Sequence, residues 1–230
     1  MPIAVPRIGL NLQPNLVAGV TMVIHHFVKR GLAVTAVSLL AACSSIAPTQ
    51  STLGSSAELR TSSDGSRHFL KAPVKIQTEI HIADVGFVLA PDSKESLSAD
   101  ERRELTDELR KQLVTSLKET YTVVETPSVN SLSLRATITD VRTSSVAVNL
   151  VSSALLLLPV DKGGAAVEFE LKTSSGERVA AMSAAAQGKF VQFSGAFSKL
   201  GQAKLVMMDH AKSLAELLQG NVPTGAKANS

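Results

Sequence analysis

The chain has 230 residues, of which 44% are hydrophobic and only 3% aromatic, and it contains one Tyr, one Cys and no Trp. Its formal charge of +3 comes from Arg7, Lys29 and Arg30, because residues 1–42 contain no Asp or Glu. From residue 43 onward, 20 basic residues balance 20 acidic residues. Such a chain lacks the basic surface and stacking side chains of nucleic-acid-binding proteins, so we expect no nucleic-acid partner. A single Cys also excludes a disulfide framework and zinc sites built from paired cysteines.

The N-terminal region has the layout of a secretory signal. Lys29 and Arg30 precede an apolar run, residues 31–42, that ends in small residues. This run has 12 residues, whereas a membrane-spanning helix needs about 20. We predict that Met22 is the true start, because it gives a signal of ordinary length, and that residues 1–42 are removed.

The end of this signal, Leu40-Ala41-Ala42-Cys43, resembles the lipobox of bacterial lipoproteins. The resemblance implies cleavage between Ala42 and Cys43 and attachment of acyl chains to Cys43, which then anchor the protein in a membrane. One acyl chain binds only reversibly, so several chains are needed for a stable anchor. Ser44, rather than the Asp that marks inner-membrane retention in this class, favours the outer membrane. We therefore expect an outer-membrane lipoprotein that faces the periplasm.

The segment after the lipobox is predicted to be a flexible tether. Residues 43–67 are rich in Ser, Thr, Gly and Ala and contain no aromatic residue. The 24 residues from Ser44 to Arg67 would span about 25–30 Å as a random coil.

Regular patterns begin at residue 68. Residues 68–89 predict a half-buried strand with one apolar side, formed by Val74, Ile76, Thr78, Ile80 and Ile82. Ser98 and Glu101 form a capping-box pattern at the start of a predicted amphipathic helix, residues 98–119. Its apolar stripe follows i+4 spacing through Leu105, Leu109, Leu113 and Leu117.

The second half of the chain predicts more strands and a final helix. Short strands are expected at residues 121–126 and 130–143. The runs 165–173 and 178–193 flank a four-residue loop with Gly176, which predicts an antiparallel hairpin. A helix over residues 198–220 ends at Gly220, and residues 221–230 form a disordered tail. Residues 68–220 therefore predict an α+β domain, a small, mostly antiparallel sheet with two amphipathic helices packed on one face.

No pattern of catalytic residues is present in the sequence. His68 lies at a predicted strand start, and neither His81 nor His210 has a carboxylate or Ser partner at a telling spacing. Gly163-Gly164 lacks the helix signal of a phosphate-binding loop. Asp140 is interpreted as a structural carboxylate at a strand end. We therefore expect a protein that is not an enzyme and has no catalytic residues, metal or cofactor.

One segment stands out because it is nearly free of charge. Residues 144–160 contain a candidate interaction patch of eight apolar residues: Val146, Val148, Leu150, Val151, Leu155, Leu156, Leu157 and Leu158. The segment is too short to span a bilayer. It is either an internal helix or turn packed on the sheet, or an exposed patch for a partner, a second copy or the lipid surface. The sequence leaves both interpretations open.

Several segments in this order resemble a known family. They are Leu97–Leu109, Tyr121–Pro127, Leu132–Arg142, Asn149–Ser153, Gly163–Leu171, Ser175–Ala181, Gly188-Lys189, Phe197–Lys199 and Gly201–Lys204. Together they resemble the bacterial lipoprotein family called domain of unknown function thirty-three thirteen, over residues 68–218. A departure is the turn 128–130, where a Gly-Pro-rich turn is expected. The resemblance implies a lipid-anchored α+β domain and supplies no catalytic residues.

Two functions remain open at the level of the sequence. The first is a protein-interaction or envelope-assembly module, with an unidentified envelope protein or a second copy of the chain as partner. The alternative is a periplasmic carrier or sensor of a small apolar ligand, which requires a pocket between sheet and helices.

Overall fold

The computed structural model describes residues 52–53, 58–89, 95–156, 162–188, 195 and 197–222. The helices and strands in this part of the chain are, in order, β1 Arg60–Thr61, β2 Arg67–Leu70, β3 Glu79–Phe87, α1 Ala99–Lys118, β4 Thr122–Val124, β5 Leu132–Arg142, α2 Val146–Leu156, β6 Gly164–Lys172, β7 Arg178–Gln187 and α3 Gly201–Leu218. The predicted signal region with Met22, Ala42 and Cys43, and residues 223–230 of the predicted tail 221–230, lie outside the described residues.

The described strands form one mixed sheet in the order β1-β2-β7-β6-β5-β3-β4. Neighbours are antiparallel from β1 to β5, whereas β3 pairs parallel with both β5 and β4. The prediction of an α+β domain is confirmed. The sheet is more mixed than predicted and a third helix, α2, is present. Because α1 connects β3 to β4, the chain crosses over before it re-enters the sheet, and such a crossover permits parallel pairing.

The hydrophobic core lies between one face of the sheet and the helices α1 and α3. The leucine stripe of α1 is fully buried, and α3 contributes Met207 and Leu214. Alternate residues of the central strands, such as Leu134 and Phe169, meet them from the sheet. The apolar spacing seen in the sequence therefore identifies the inward faces of both long helices.

Local signals set the ends of these elements. The Ser98 Oγ accepts a hydrogen bond from the Glu101 N–H at 3.2 Å, and the Glu101 carboxylate accepts one from the Ser98 N–H at 2.8 Å, which confirms the capping box. The predicted hairpin is confirmed by antiparallel β6 and β7. Its Gly176 has a φ of 87°, a left-handed conformation that favours glycine.

The strand predicted from residue 68 to residue 89 is wrong in its first half. Residues 67–70 form β2, which pairs with β7 instead of continuing into β3. Between them the chain turns: Ile76 is 75% exposed and Gln77 has a φ of 63°. The Val74 N–H donates to the Leu218 carbonyl at the end of α3, so a contact distant in sequence interrupts the alternating run.

The N-terminal and C-terminal boundaries of other predicted segments also differ. β1 and Arg67 of β2 fall within residues 43–67, the segment predicted to be a tether, so ordered structure begins before residue 68. β7 ends at Gln187, and the predicted continuation over 189–193 lies outside the described residues. None of the helices in the described part of the chain combines the length and apolar character needed to cross a membrane.

Candidate interaction surface on helix α2

Helix α2 connects β5 to β6, and its N-terminal end is fixed by hydrogen bonds to two other loops. The Thr143 N–H and hydroxyl donate to the Glu95 carboxylate at 3.1 and 2.8 Å. The Ser144 N–H donates to the Lys199 carbonyl, and the Ser144 hydroxyl to the Ser198 carbonyl, both at 3.1 Å. These bonds hold α2 beside the loop that leads into α3.

The inward side of α2 is polar. Asn149 and Ser152 are buried, and the Ser152 hydroxyl donates to the Asn149 carbonyl at 3.2 Å. Successive helical residues are rotated by about 100°, which places Asn149, Ser152 and Ser153 on one narrow face of the helix. A surface helix ordinarily turns its apolar side toward the core. In α2 this arrangement is inverted.

The outward side of α2 carries the apolar residues of the predicted patch. The exposed fractions are 40% for Val146, 47% for Val148, 62% for Leu150, 59% for Val151 and 76% for Leu155. Leu157 and Leu158, and the side chain of Leu156, lie outside the described residues. The structure therefore leaves five of the eight predicted residues exposed on α2. We call these five residues the α2 face.

The chemical character of the α2 face differs from that of its surroundings. No Asp, Glu, Lys or Arg occurs from Ser144 to Leu156. At the helix base, the Lys199 ammonium forms an ion pair with the Glu101 carboxylate at 2.7 Å. The Lys199 hydrogen bond is the main cause that lowers the pKa of Glu101. The α2 face is thus an uncharged apolar surface beside a charged one, as is typical of interaction surfaces.

Gly163, which directly precedes β6, allows close packing. A Cβ on Gly163 would lie 2.8 Å from the Arg142 carbonyl oxygen and 2.9 Å from the Gln202 Cβ. The Gly188 N–H donates to the Gly163 carbonyl at 2.8 Å. Gly163 therefore allows β6 to begin against α3, and it is a packing position in this structure.

The predicted histidines are scattered through the described structure. The Nδ1 of His68 lies 2.9 Å from the Ser62 hydroxyl, and His81 is a half-buried residue of β3. His210 is buried in α3; burial lowers its pKa, and its Nε2 has no hydrogen-bond partner. Among the described residues, no group of three His, Cys, Asp or Glu side chains is placed to hold a metal. Asp140 accepts a hydrogen bond from the Val141 N–H at 2.9 Å.

The opposite face of the sheet carries a polar cluster that the sequence reasoning missed. Glu168 and Glu170 of β6 are both buried, and Thr137 and Ser183 flank Glu168 on the neighbouring strands. Burial raises the pKa of Glu170, but hydrogen bonds from Lys172 and Arg178 outweigh this effect and lower the pKa overall. The sequence does contain a signal for this cluster. Glu168 and Glu170 alternate with Val167, Phe169 and Leu171, and they are the only charged residues of the strand before Lys172.

Clefts on the described surface are small and open. Three of them have volumes of about 200, 240 and 300 Å³. The largest of these is lined by Thr52, Asp84, Gly86, Val88, Arg135 and Thr137. Charged or polar side chains take part in the lining of each of these three clefts.

Comparisons with known proteins place the chain in a family and give two structural likenesses. The family model described as "Protein of unknown function (DUF3313)" matches residues 49–214. None of the curated proteins compared with the chain matches it. The chain is similar to the PelC dodecamer from Paraburkholderia phytofirmans at 12% identity, over 64% of this chain and 96% of that chain, with a TM-score of 0.41. It is also similar to protein XCC0632 of family DUF330 from Xanthomonas campestris at 11% identity, over 65% and 90% of the two chains, with a TM-score of 0.39.

Proposed function

The chain belongs to the DUF3313 family of proteins of unknown function, and we propose that it is an outer-membrane lipoprotein whose periplasmic domain is a protein-interaction or envelope-assembly module. Cys43 carries the lipid anchor, and the domain faces the periplasm. The α2 face is its binding surface. The partner is an envelope protein with a complementary apolar surface or a second copy of the chain.

The observation that carries this proposal is the inverted orientation of α2. Leaving Leu150 and Leu155 exposed is unfavourable for an isolated domain. Full burial of a Leu side chain contributes about 1.5–3 kcal/mol, and this contribution is largely unrealised at the α2 face. A partner that covers the face would provide it. We therefore propose that α2 is held outward for binding.

The carrier alternative and an enzymatic role have less support. A carrier of an apolar ligand needs an apolar cavity, and the described cleft of about 300 Å³ contains Asp84 and Arg135. An enzyme needs a nucleophile or an acid–base pair in a cleft. The buried His210 has no such partner in the described structure. We accordingly propose no catalytic activity.

Site-specific photo-crosslinking in cells tests the binding surface. A photoreactive amino acid at Leu150 or Leu155 should capture one and the same envelope protein, or the chain itself. The matched control is Ile76, which is equally apolar and 75% exposed but lies in the turn before β3. Capture of the same protein from Ile76, or capture of lipid alone from α2, would contradict the proposal.

The anchor is tested separately by its chemistry. Cells labelled with an alkyne-bearing fatty acid should incorporate the label into the wild-type chain and lose it in Cys43→Ala. Mass spectrometry should place the acyl groups on an N-terminal peptide that begins at residue 43. A labelled Cys43→Ala chain, or a mature chain that retains residues before 43, would refute this part of the proposal.

A further inference from the structure

Thr52 and Leu53, which follow the proposed anchor by nine and ten residues, contact the sheet. We call Thr52, Leu53 and residues 58–61 the arm. The Thr52 N–H and hydroxyl donate to the same Glu168 carboxylate oxygen at 2.5 and 2.6 Å. Glu168 is only 1% exposed. A buried carboxylate is costly unless it accepts hydrogen bonds, so these two bonds belong to the folded state of the domain.

Leu53 provides a second attachment. Its side chain is 3% exposed, and its carbonyl accepts a hydrogen bond from the Arg178 guanidinium at 2.5 Å. The same guanidinium donates two bonds to the Glu170 carboxylate, at 2.9 and 2.8 Å, which fixes its orientation. The Glu58 carboxylate lies 3.9 Å from Arg178. One arginine on β7 therefore contacts both parts of the arm.

The far end of the arm is part of the sheet. Arg60 and Thr61 form β1, which pairs antiparallel with His68 and Arg67 of β2. The arm is thus attached to the domain at Thr52, at Leu53 and again at β1. Among the described residues, the Thr52–Glu168 contact is the attachment nearest to the proposed anchor.

We propose that the arm is a strap that holds the domain close to the membrane. This inference rests on the proposed anchor at Cys43. Nine residue steps separate Cys43 from Thr52, which span at most about 32 Å when fully extended. If the first attached residue were residue 68, as the sequence predicted, the 25 steps would span up to about 90 Å. The docked arm removes almost two thirds of the available reach.

Two insertions of equal length distinguish a docked strap from a flexible tether. Twelve Gly/Ser residues are inserted after Ser45, between anchor and strap, or after Ser55, between the Thr52–Leu53 contacts and β1. The full lipidated chain is reconstituted into phosphatidylethanolamine–phosphatidylglycerol vesicles that contain an acceptor-labelled lipid. A donor dye is attached through Lys111→Cys, a position on α1 whose side chain is 71% exposed. Energy transfer from donor to lipid reports the height of the domain.

The strap predicts different results for the two insertions. The insertion after Ser45 raises the maximal reach from about 32 to about 75 Å and shifts energy transfer to lower efficiency. The insertion after Ser55 leaves the efficiency at the wild-type value. Adding Thr52→Pro, which removes both hydrogen-bond donors to Glu168, together with Leu53→Ser, which removes the buried side chain, to the Ser55 insertion should lower the efficiency to or below that of the Ser45 insertion. Circular dichroism confirms that each variant is folded.

Two results would overturn the strap. One is an equal loss of transfer with both insertions, and the other is a full wild-type signal after Thr52→Pro and Leu53→Ser in the Ser55 insertion. Both leave the proposed anchor intact, because the chain still associates with the vesicles. Failure of the anchor is recognised independently, since a chain without acylated Cys43 gives no transfer in any variant.

Discussion

Replacing apolar residues of the α2 face with serine should leave the domain folded and abolish partner capture. The substitution that tests this most directly is Leu155→Ser, because Leu155 is 76% exposed and only about a quarter of its side chain is in contact with the protein. A quarter of the 1.5–3 kcal/mol for full burial is about 0.4–0.8 kcal/mol. The lower helix propensity of Ser adds about 0.5 kcal/mol. The expected loss of stability is therefore about 1 kcal/mol.

The matched control is Leu109→Ala in α1. Leu109 is fully buried in the core, and such a truncation costs about 2–5 kcal/mol. Both free energies of unfolding are measured by urea denaturation in a Cys43→Ser background. Far-UV circular dichroism is the appropriate probe, because the chain has no Trp. Crosslinking from Leu150 is then repeated in the Leu155→Ser chain and should decrease strongly.

One outcome would refute the reasoning. If Leu155→Ser destabilised the domain as much as Leu109→Ala, the outward side of α2 would be packed against the protein in solution. The α2 face would then be part of the core. Loss of crosslinking would in that case report unfolding.

Three further predictions concern stability. Burial lowers the pKa of His210, so below the unfolded pKa of about 6.5 the unfolded chain binds more protons. Stability should therefore fall with decreasing pH by up to about 1.4 kcal/mol per unit until the folded pKa is reached, and His210→Leu should flatten this slope in urea denaturations between pH 5 and 7. Ser98→Ala removes the cap of α1 and should cost about 1 kcal/mol in the same assay, whereas Ser174→Ala in the exposed hairpin loop should cost much less. Gly201→Ala would place its Cβ 2.6 Å from the Gly195 carbonyl oxygen and should cost about 1–3 kcal/mol, seen as a lower midpoint of thermal unfolding.

The elements that sequence reasoning identified correctly are those set by nearby residues. The capping box joins Ser98 to Glu101 within one turn, and the leucine stripe of α1 repeats every four residues. The β6–β7 hairpin needs only a short loop with Gly176. Such patterns are complete within a few residues, so they are readable without knowledge of the remaining chain.

The elements that were wrong or missed depend on distant residues. Val74 has the alternation of a strand, but the end of α3 accepts its N–H and the chain turns at Gln77. Parallel pairing of β3 with β5 joins segments about 50 residues apart. The contact of Thr52 with Glu168 joins residues 116 positions apart, in a segment whose composition is that of a flexible linker. The alternation of apolar residues and the local composition do not reveal contacts between residues that are far apart in the sequence.

The candidate site shows the same division. The charge-free segment that includes Val146 and Leu155 is visible in the sequence, as are the lipobox resemblance at Cys43 and the neutral charge of the remaining chain. The sequence by itself thus determined which side chains are available for an interaction. Only the tertiary structure decided that α2 buries Asn149 and exposes Leu155. The side of a helix that is buried depends on its contacts with segments that are distant in sequence. Here Ser144 is hydrogen-bonded to the loop before α3, so the place of α2 depends on a contact that is distant in sequence.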